Sequence, residues 1–567
     1  MNFDMLGLIT RLIDFAWPRL RRVFIDKSPI VAADGGAQPN YWRRWFGDHR
    51  RHIAIVFLLT VCAVGTFYWR FSGPSPGAIR ILIADIDQRC PDQKQDFKRD
   101  IRRELQHEAA KVGVKVEVRL LDSAIRSDET RESARALLKW KRGHILIWGD
   151  YACTSTDVQV DIRAEWSLPG VDQDLFVGTG TSYQAKLSEL SEFRLQNVTA
   201  KSLTGLVLFL LALSDWTTGN EDGALVKFHE SIISLDQSAK ISPLYLAAPE
   251  RRLSALAHFH LGLIWHQREE FRQAAYHYQQ ASGYFPAESH HNWAVAMSGL
   301  ARKTSGEDAK NLFEEARKKF DIASKFTPNN SELHYNWGNA LDGLGRLHSG
   351  DRATEFWLQA ICKYELAAWL NPNDYRVYVN WGNVLDRLAE LRPMDEGVTL
   401  WDDALSKYSK AIQLVPHDPL PVANSGLVVH HIAQRTPYPE AEELWSKALR
   451  LYSEALRIDA DYYDALYNSG GALLNLAQNK SGPARTKIYQ EAERVLRRAE
   501  AVRPGSAGYN LACLMTLQNK REQARGYLDM SLRTGRLPFR SHLEKDVCFD
   551  SIRKESWFAD ILAAAKP

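Results

Sequence analysis

Cysteine is scarce in this chain, six in 567 residues, and Cys62, Cys90, Cys153, Cys362, Cys513 and Cys548 include no CxxC pair. That argues against zinc ribbons and disulfide-stapled mini-domains. An excess of one charge is lacking as well. Lys and Arg number 72 against 69 Asp and Glu, a formal net charge of +3, which argues against nucleic acid as the main partner because no concentrated basic face is implied. There is no GxxxxGK[ST], GxSxG, HExxH or dinucleotide fingerprint, so the sequence points away from an enzyme and from a bound cofactor. The His-His pairs His290/His291 and His430/His431 sit at adjacent helical positions that point apart, and no metal site is expected from them. With 45% hydrophobic residues the chain is too apolar for a disordered one, and its length predicts about three or four domain-sized units.

Long hydrophobic runs are also few, and one breaks the soluble pattern. Ile53–Trp69 is seventeen uncharged residues between Arg51-His52 and Arg70. At about 1.5 Å per residue it spans roughly 25 Å, the short end of a transmembrane helix, with Trp45, Tyr68 and Trp69 as interfacial anchors. Arg43, Arg44, Arg50 and Arg51 precede it closely, and only Arg70 and Arg80 follow closely. The expectation is a single-pass protein of a bacterial inner membrane, N-terminus cytoplasmic and body periplasmic. Residues 1–52 read as a basic tail whose Leu6, Ile9, Ile13 and Trp17 suit a helix on an anionic membrane surface, or equally a partner-binding or frayed tail. Residues 70–78 read as a Gly/Pro linker.

Residues 79–195 alternate between buried strands and amphipathic helices. IRILIADID, VKVEVRLLD and HILIWGD read as parallel strands, TDVQVDIRAEWSL as a fourth of alternating polarity, and DLFVGTG (174–180) as a fifth, giving a small α/β domain. Asp85 and Asp87 end the first strand as hhhhDxD, with Ser123 and Asp150 ending the next two, which loosely resembles haloacid dehalogenase-type phosphatases. The resemblance implies metal-dependent hydrolysis at Asp85 and Asp87. Against it, Gln88 follows the pair and no lysine motif appears; acidic strand ends also simply solvate a sheet edge. Cys90 and Cys153 leave the same sheet edge, placed to form a disulfide in an oxidising compartment or to remain free thiols. The ILIWGDY segment is similar to the N-terminal module of the TolB type, which implies ligand sensing or interaction rather than catalysis.

The strongest signal is a 44-residue period. It holds Ala294, Gly338, Gly382, Gly426 and Gly470 in one column. Phe320, Tyr364, Tyr408, Tyr452 and Leu496 form a second, flanked by alanines at 316, 360, 404, 448 and 492 and at 323, 367, 411, 455 and 499. Pro328, Pro372, Pro416 and Pro504 close units. These columns resemble the tetratricopeptide repeat (TPR), with about ten residues inserted between the two helices of each 34-residue unit. Shorter units around Gly262, Ala512 and Ala212 bring the total to eight, ending in a capping helix within 541–567. The resemblance implies a mainly α fold: a first unit and connector at 200–250, a solenoid over 251–540, and a concave surface lined by the first helix of each pair. The apolar run 203–216 is too short for a second span and is expected to be the buried first helix of the array.

One column is polar. Asn292, Asn336, Asn380, Asn424 and Asn468 recur at 44, Asn510 takes the same place in the last unit, and Asn339 and Asn383 form a second pair. In the family pattern these positions face the groove, where an amide that donates and accepts can hold an extended peptide of any sequence; alternatively, the amides bond neighbouring helices. The tryptophans at 293, 337 and 381 are expected in the inter-repeat core rather than in a ligand cage. The leading expectation is a membrane-anchored scaffold or receptor that binds a protein or extended peptide segment in its groove. Self-association is left open. The alternatives are a ligand sensor acting through the α/β module, and a hydrolase at Asp85 and Asp87.

Overall fold

A computed structural model describes residues 78–88, 97–111, 114–124, 131–153, 157–168, 181–186, 192–241 and 248–565. The tail, the 53–69 segment and Cys90 lie outside the described residues.

Five strands, β1 (Ile79–Gln88), β2 (Val116–Ala124), β3 (Ile145–Cys153), β4 (Asp157–Trp166) and β5 (Thr181–Lys186), form one sheet in the order β2-β1-β3-β4-β5. β1 runs parallel to β2 and β3, and β4 and β5 follow antiparallel. Helices α1 (Phe97–Lys111) and α2 (Arg131–Trp140) make the two crossovers. Period-two alternation in β1 explains why they lie on opposite faces. Ile81 and Ile83 pack with Ile101 and Leu105 of α1, whereas Leu82 and Ala84 pack with Ala134 and Leu138 of α2. The fifth described strand is the polar TSYQAK, which the sequence pattern did not indicate; the apolar 174–180 run expected as a strand lies outside the described residues. An edge strand is specified by pairing with its neighbour, here β4, more than by its own hydrophobicity.

Eight consecutive helix pairs follow the sheet, from Glu192 to Arg533, each with an A helix followed by a B helix. They are α3 (Glu192–Thr217) with α4 (Glu221–Ile241), α5 (Ala248–Gln267) with α6 (Phe271–Ala281), α7 (Pro286–Lys303) with α8 (Gly306–Phe326), and α9 (Ser331–Leu347) with α10 (Gly350–Leu370). Then come α11 (Tyr375–Glu390) with α12 (Met394–Leu414), α13 (Pro419–Arg435) with α14 (Glu440–Ile458), α15 (Tyr463–Gln478) with α16 (Gly482–Val502), and α17 (Gly508–Leu517) with α18 (Arg521–Arg533). The apolar α3 is the buried start of this stack. Leu203, Val207 and Leu210 join the sheet-side core of Ile81, Ile83 and Leu105, so the sheet and the first pair share one interior. Among the described residues no helix is long and apolar enough to cross a membrane.

The glycine–tyrosine columns form the seam within each pair. A Cβ on Gly338 would fall 2.6 Å from Tyr364 Cε1, and Gly262, Gly382 and Gly426 meet Tyr278, Tyr408 and Tyr452 in the same way. The tyrosines are 1% exposed or less, a burial worth roughly 2–3 kcal/mol each. The ten extra residues are helical. α9 continues to Leu347, α10 begins at Gly350, and only His348 and Ser349 separate them; Gly350 takes the left-handed φ of +58° that so tight a turn demands. The added turns pack as closely, with Gly345 against Trp357 within the pair and Gly343 against Phe313 of the preceding pair. Asn330, Asp374 and Asp418, again 44 apart, cap the A helices through the backbone N–H groups of Leu333, Arg376 and Leu420.

The stack closes on α19 (Arg540–Lys545), a 3-10 turn (Val547–Phe549) and α20 (Ser556–Ala564). Phe549, Ile552, Phe558 and Ile561 cover the last apolar face. A disulfide between Cys513 of α17 and Cys548 pins this cap, a pairing that sequence spacing did not indicate.

Candidate functional site

From α7 to α17 each A helix touches the next A helix, while the B helices pack chiefly between A helices. The A helices therefore form the inner wall of the curve. The TPR-like positions expected to face that wall, Asn292, Asn336, Asn339, Asn380, Asn383, Asn424, Asn468 and Asn510, are all half-buried.

Part of the column is a hydrogen-bonded ladder between repeats. Asn339 Oδ1 accepts from Tyr364 OH of its own pair and from Asn380 Nδ2 of the next repeat, both at 2.8 Å. One repeat on, Asn383 Oδ1 accepts from Tyr408 OH at 2.8 Å and from Asn424 Nδ2 at 2.9 Å. Asn380 Nδ2 also donates to Tyr335 OH. The ladder needs an asparagine three residues after the column amide on the preceding A helix. Residues 295, 427 and 471 are Val, Leu and Gly, and there it stops. Asn336 turns instead to His291 and Glu332. Asn292, Asn468 and Asn510 have no hydrogen-bond partner among the described residues. The hydroxyl of Tyr452, equivalent to those of Tyr364 and Tyr408, is buried without a partner.

The added turns carry a second row that the sequence analysis missed. Asp342 accepts from Trp357 Nε1 and Arg387, and Asp386 accepts from Trp401 Nε1 at 2.9 Å and pairs with His431 at 2.9 Å. These residues hold 44-residue spacing with the tryptophan column 357, 401 and 445, which is the signal that could have found them. Burial alone would lower the His431 pKa, but the hydrogen bond and charge of Asp386, with Glu390, raise it. Burial holds Glu390 above the usual carboxylate range despite His431. The other member of the pair, His430, stacks edge-on against Trp445 and is driven by burial down to about 3.

The tryptophans beside the small-residue column belong to the packing. Trp293 and Trp337 are buried, and Lys319, Lys363 and Lys407 lie over Trp293, Trp337 and Trp381 at 3.6, 3.5 and 3.9 Å. Among the described residues no three metal-ligating side chains come together. At the sheet, Asp85 and Asp87 lie in the last residues of β1; Asp87 is in register with Asp150 of β3, and Asp85 with Ala124 of β2. The Cys90–Cys153 pairing falls outside the described residues, and Cys362 is an exposed free thiol.

No protein-family profile matches the chain, and no curated protein matches its sequence. Among solved structures it is similar to a thermophilic TPR protein of Thermus thermophilus (16% identity, 39% of this chain and 99% of the other, TM-score 0.28). It is similar also to PilF of Pseudomonas aeruginosa (16%, 45% and 95%, TM-score 0.31) and to yeast Tom70 (17%, 64% of each chain, TM-score 0.32). The reading that follows rests on the chain's own geometry.

Proposed function

We propose that the chain is a scaffold or receptor that holds an extended segment of a partner protein against the inner wall of its helix stack, tethered to a bacterial inner membrane by residues 53–69. The observation that carries this reading is the recurrence, on one side of successive A helices, of half-buried neutral amides and tyrosines. Such groups satisfy a peptide backbone in either direction without demanding a sequence or a charge. The arginines before residue 53 support a periplasmic body, as does a Cys513–Cys548 disulfide, which persists in oxidising compartments. Tethering confines the complex to the membrane plane and raises the effective concentration of its parts.

Photo-crosslinking in native membranes tests the groove. A crosslinker replacing Tyr335 on the inner wall should capture a discrete partner, whereas one replacing the exposed Arg494 on α16 should not. Capture from Arg494 alone would refute the groove. A periplasm-dependent reporter fused after Pro567 tests the topology, and an inactive fusion would reverse it.

A further inference from the structure

We infer that the outer face of α10 is a self-association surface, on which a second copy of this chain packs its own α10 antiparallel about a two-fold axis. In each of the five long repeats the outward side of the B helix carries four residues at i, i+4, i+7 and i+11, one stripe of a helix. On α8 these are Glu314, Lys318, Asp321 and Lys325, and on α12 they are Asp402, Ser406, Ser409 and Gln413. The stripes of α14 and α16 each hold two arginines and no large apolar residue. α10 alone departs, with Leu358, Cys362, Glu365 and Trp369. Leu358 is 48% and Trp369 75% exposed, and Cys362 is an exposed free thiol. An apolar stripe facing water on one helix, where its four sister helices are polar, marks an interaction surface.

The pattern of the stripe names its partner. Steps of 4, 3 and 4 are those of the core positions of a two-helix coiled coil. In an antiparallel pair, each residue before the midpoint meets the one equally far beyond it on the other helix. With the midpoint between residues 363 and 364, Leu358 of each copy packs on Trp369 of the other, the reciprocal contact that a two-fold requires. The same axis sets α8 against α8 of the second copy, with its midpoint 44 residues earlier. Glu314 then opposes Lys325 and Lys318 opposes Asp321, so all four charges meet the opposite sign. Within one chain Glu314 pairs with Arg317 and Asp321 with Lys325, solvent-facing contacts that contribute little and exchange readily.

The alternatives fit less well. On the other flank the antiparallel arrangement places Ser406 of α12 opposite Ser409, with no like charges opposed. A parallel arrangement would instead set α8 against α12, with Glu314 facing Asp402. The same antiparallel pairing centred on α16 would oppose Arg494 to Arg497. At the centre of the α10 seam, Cys362 of the two copies lie three residues apart along the axis, about 4.5 Å. For helices about 9 Å apart their Cα atoms come within roughly 6 Å, which makes the thiols reporters of the pairing.

The test treats the full chain in detergent with a short bis-maleimide and follows the dimer by gel and by sedimentation. The parent should cross-link as a dimer. Cys362→Ser should lose the cross-link and still sediment as a dimer, and Arg494→Cys added to Cys362→Ser, which moves the thiol to the equivalent place on α16, should give no cross-link. Leu358→Glu/Trp369→Glu changes only exposed side chains and should weaken the dimer at least about 100-fold, because each anchor is lost twice across the two-fold. Lys318→Glu should weaken it by about 10-fold, and adding Asp321→Lys should restore it, which a role confined to one chain would not do. A monomeric parent, a dimer that survives Leu358→Glu/Trp369→Glu, or an equal cross-link from Arg494→Cys would each overturn the α10 surface.

Discussion

Three seam tyrosines differ only in what their hydroxyls meet, and replacing each with phenylalanine separates a made hydrogen bond from an unmade one. Tyr364 and Tyr408 donate to Asn339 and Asn383 at 2.8 Å, and those oxygens keep a second donor in Asn380 and Asn424. Tyr364→Phe and Tyr408→Phe should therefore each cost about 1 kcal/mol, one net hydrogen bond with no acceptor orphaned. Tyr452 is fully buried and its hydroxyl has no partner among the described residues. An unsatisfied buried polar group costs roughly 1–3 kcal/mol, so Tyr452→Phe should stabilise by about 1 kcal/mol or more. The contrast between the sites is thus about 2 kcal/mol and of opposite sign. Because a stack of repeats need not unfold all at once, the readouts are urea midpoints of the full chain together with hydrogen exchange of α14 and α15 amides. A loss at Tyr452→Phe equal to that at the other two would refute the argument and imply that its hydroxyl is satisfied.

Gly338→Ala should destabilise by about 1–3 kcal/mol despite alanine's higher helix propensity, since its Cβ would fall 2.6 Å from a ring that cannot retreat; a higher melting temperature would contradict this. Reducing the Cys513–Cys548 bond, which links residues 35 apart, should cost about 4 kcal/mol on the loop-entropy estimate. Exchange should accelerate first in α17 to α20, and unchanged protection there after reduction would contradict the assignment. Acid should destabilise the stack. Burial lowers His258 and His260 to about 4 and His430 to about 3. Their stabilisation is complete above an unfolded pKa of about 6.5 and declines as pH falls toward these values, by about 2 kcal/mol each at pH about 5. His431 acts oppositely, stabilising below about 6.5 and losing this as pH rises through its raised pKa. Thermal melts that do not fall between about pH 7 and 5 would show that these imidazoles are not buried neutral.

Much of the architecture was legible in the sequence because period is a local property. The 44-residue columns of glycine, tyrosine and alanine identify paired helices, and the inserted residues carry helical periodicity of their own. The near-continuous apolar runs in IRILIADID and HILIWGD likewise mark strands buried on both faces. The polar β5 escaped, since TSYQAK has no hydrophobic pattern and becomes a strand only by pairing with β4. The Cys513–Cys548 bond escaped because pairing two residues 35 apart requires knowing how the cap folds back.

The candidate site divides along the same line. The chain alone determines that asparagines recur at 292, 336, 380, 424, 468 and 510, and that the residue three further on reads Val, Asn, Asn, Leu and Gly across the five long repeats. Only the tertiary structure decides what those letters mean. A side-chain amide has a fixed number of hydrogen bonds to give, and whether it spends them on the neighbouring repeat or keeps them for a ligand depends on which atom the stacking brings within 3 Å. Asn380 and Asn424 have found theirs; for Asn468 the equivalent position in the preceding repeat is Leu427, which has no amide to offer.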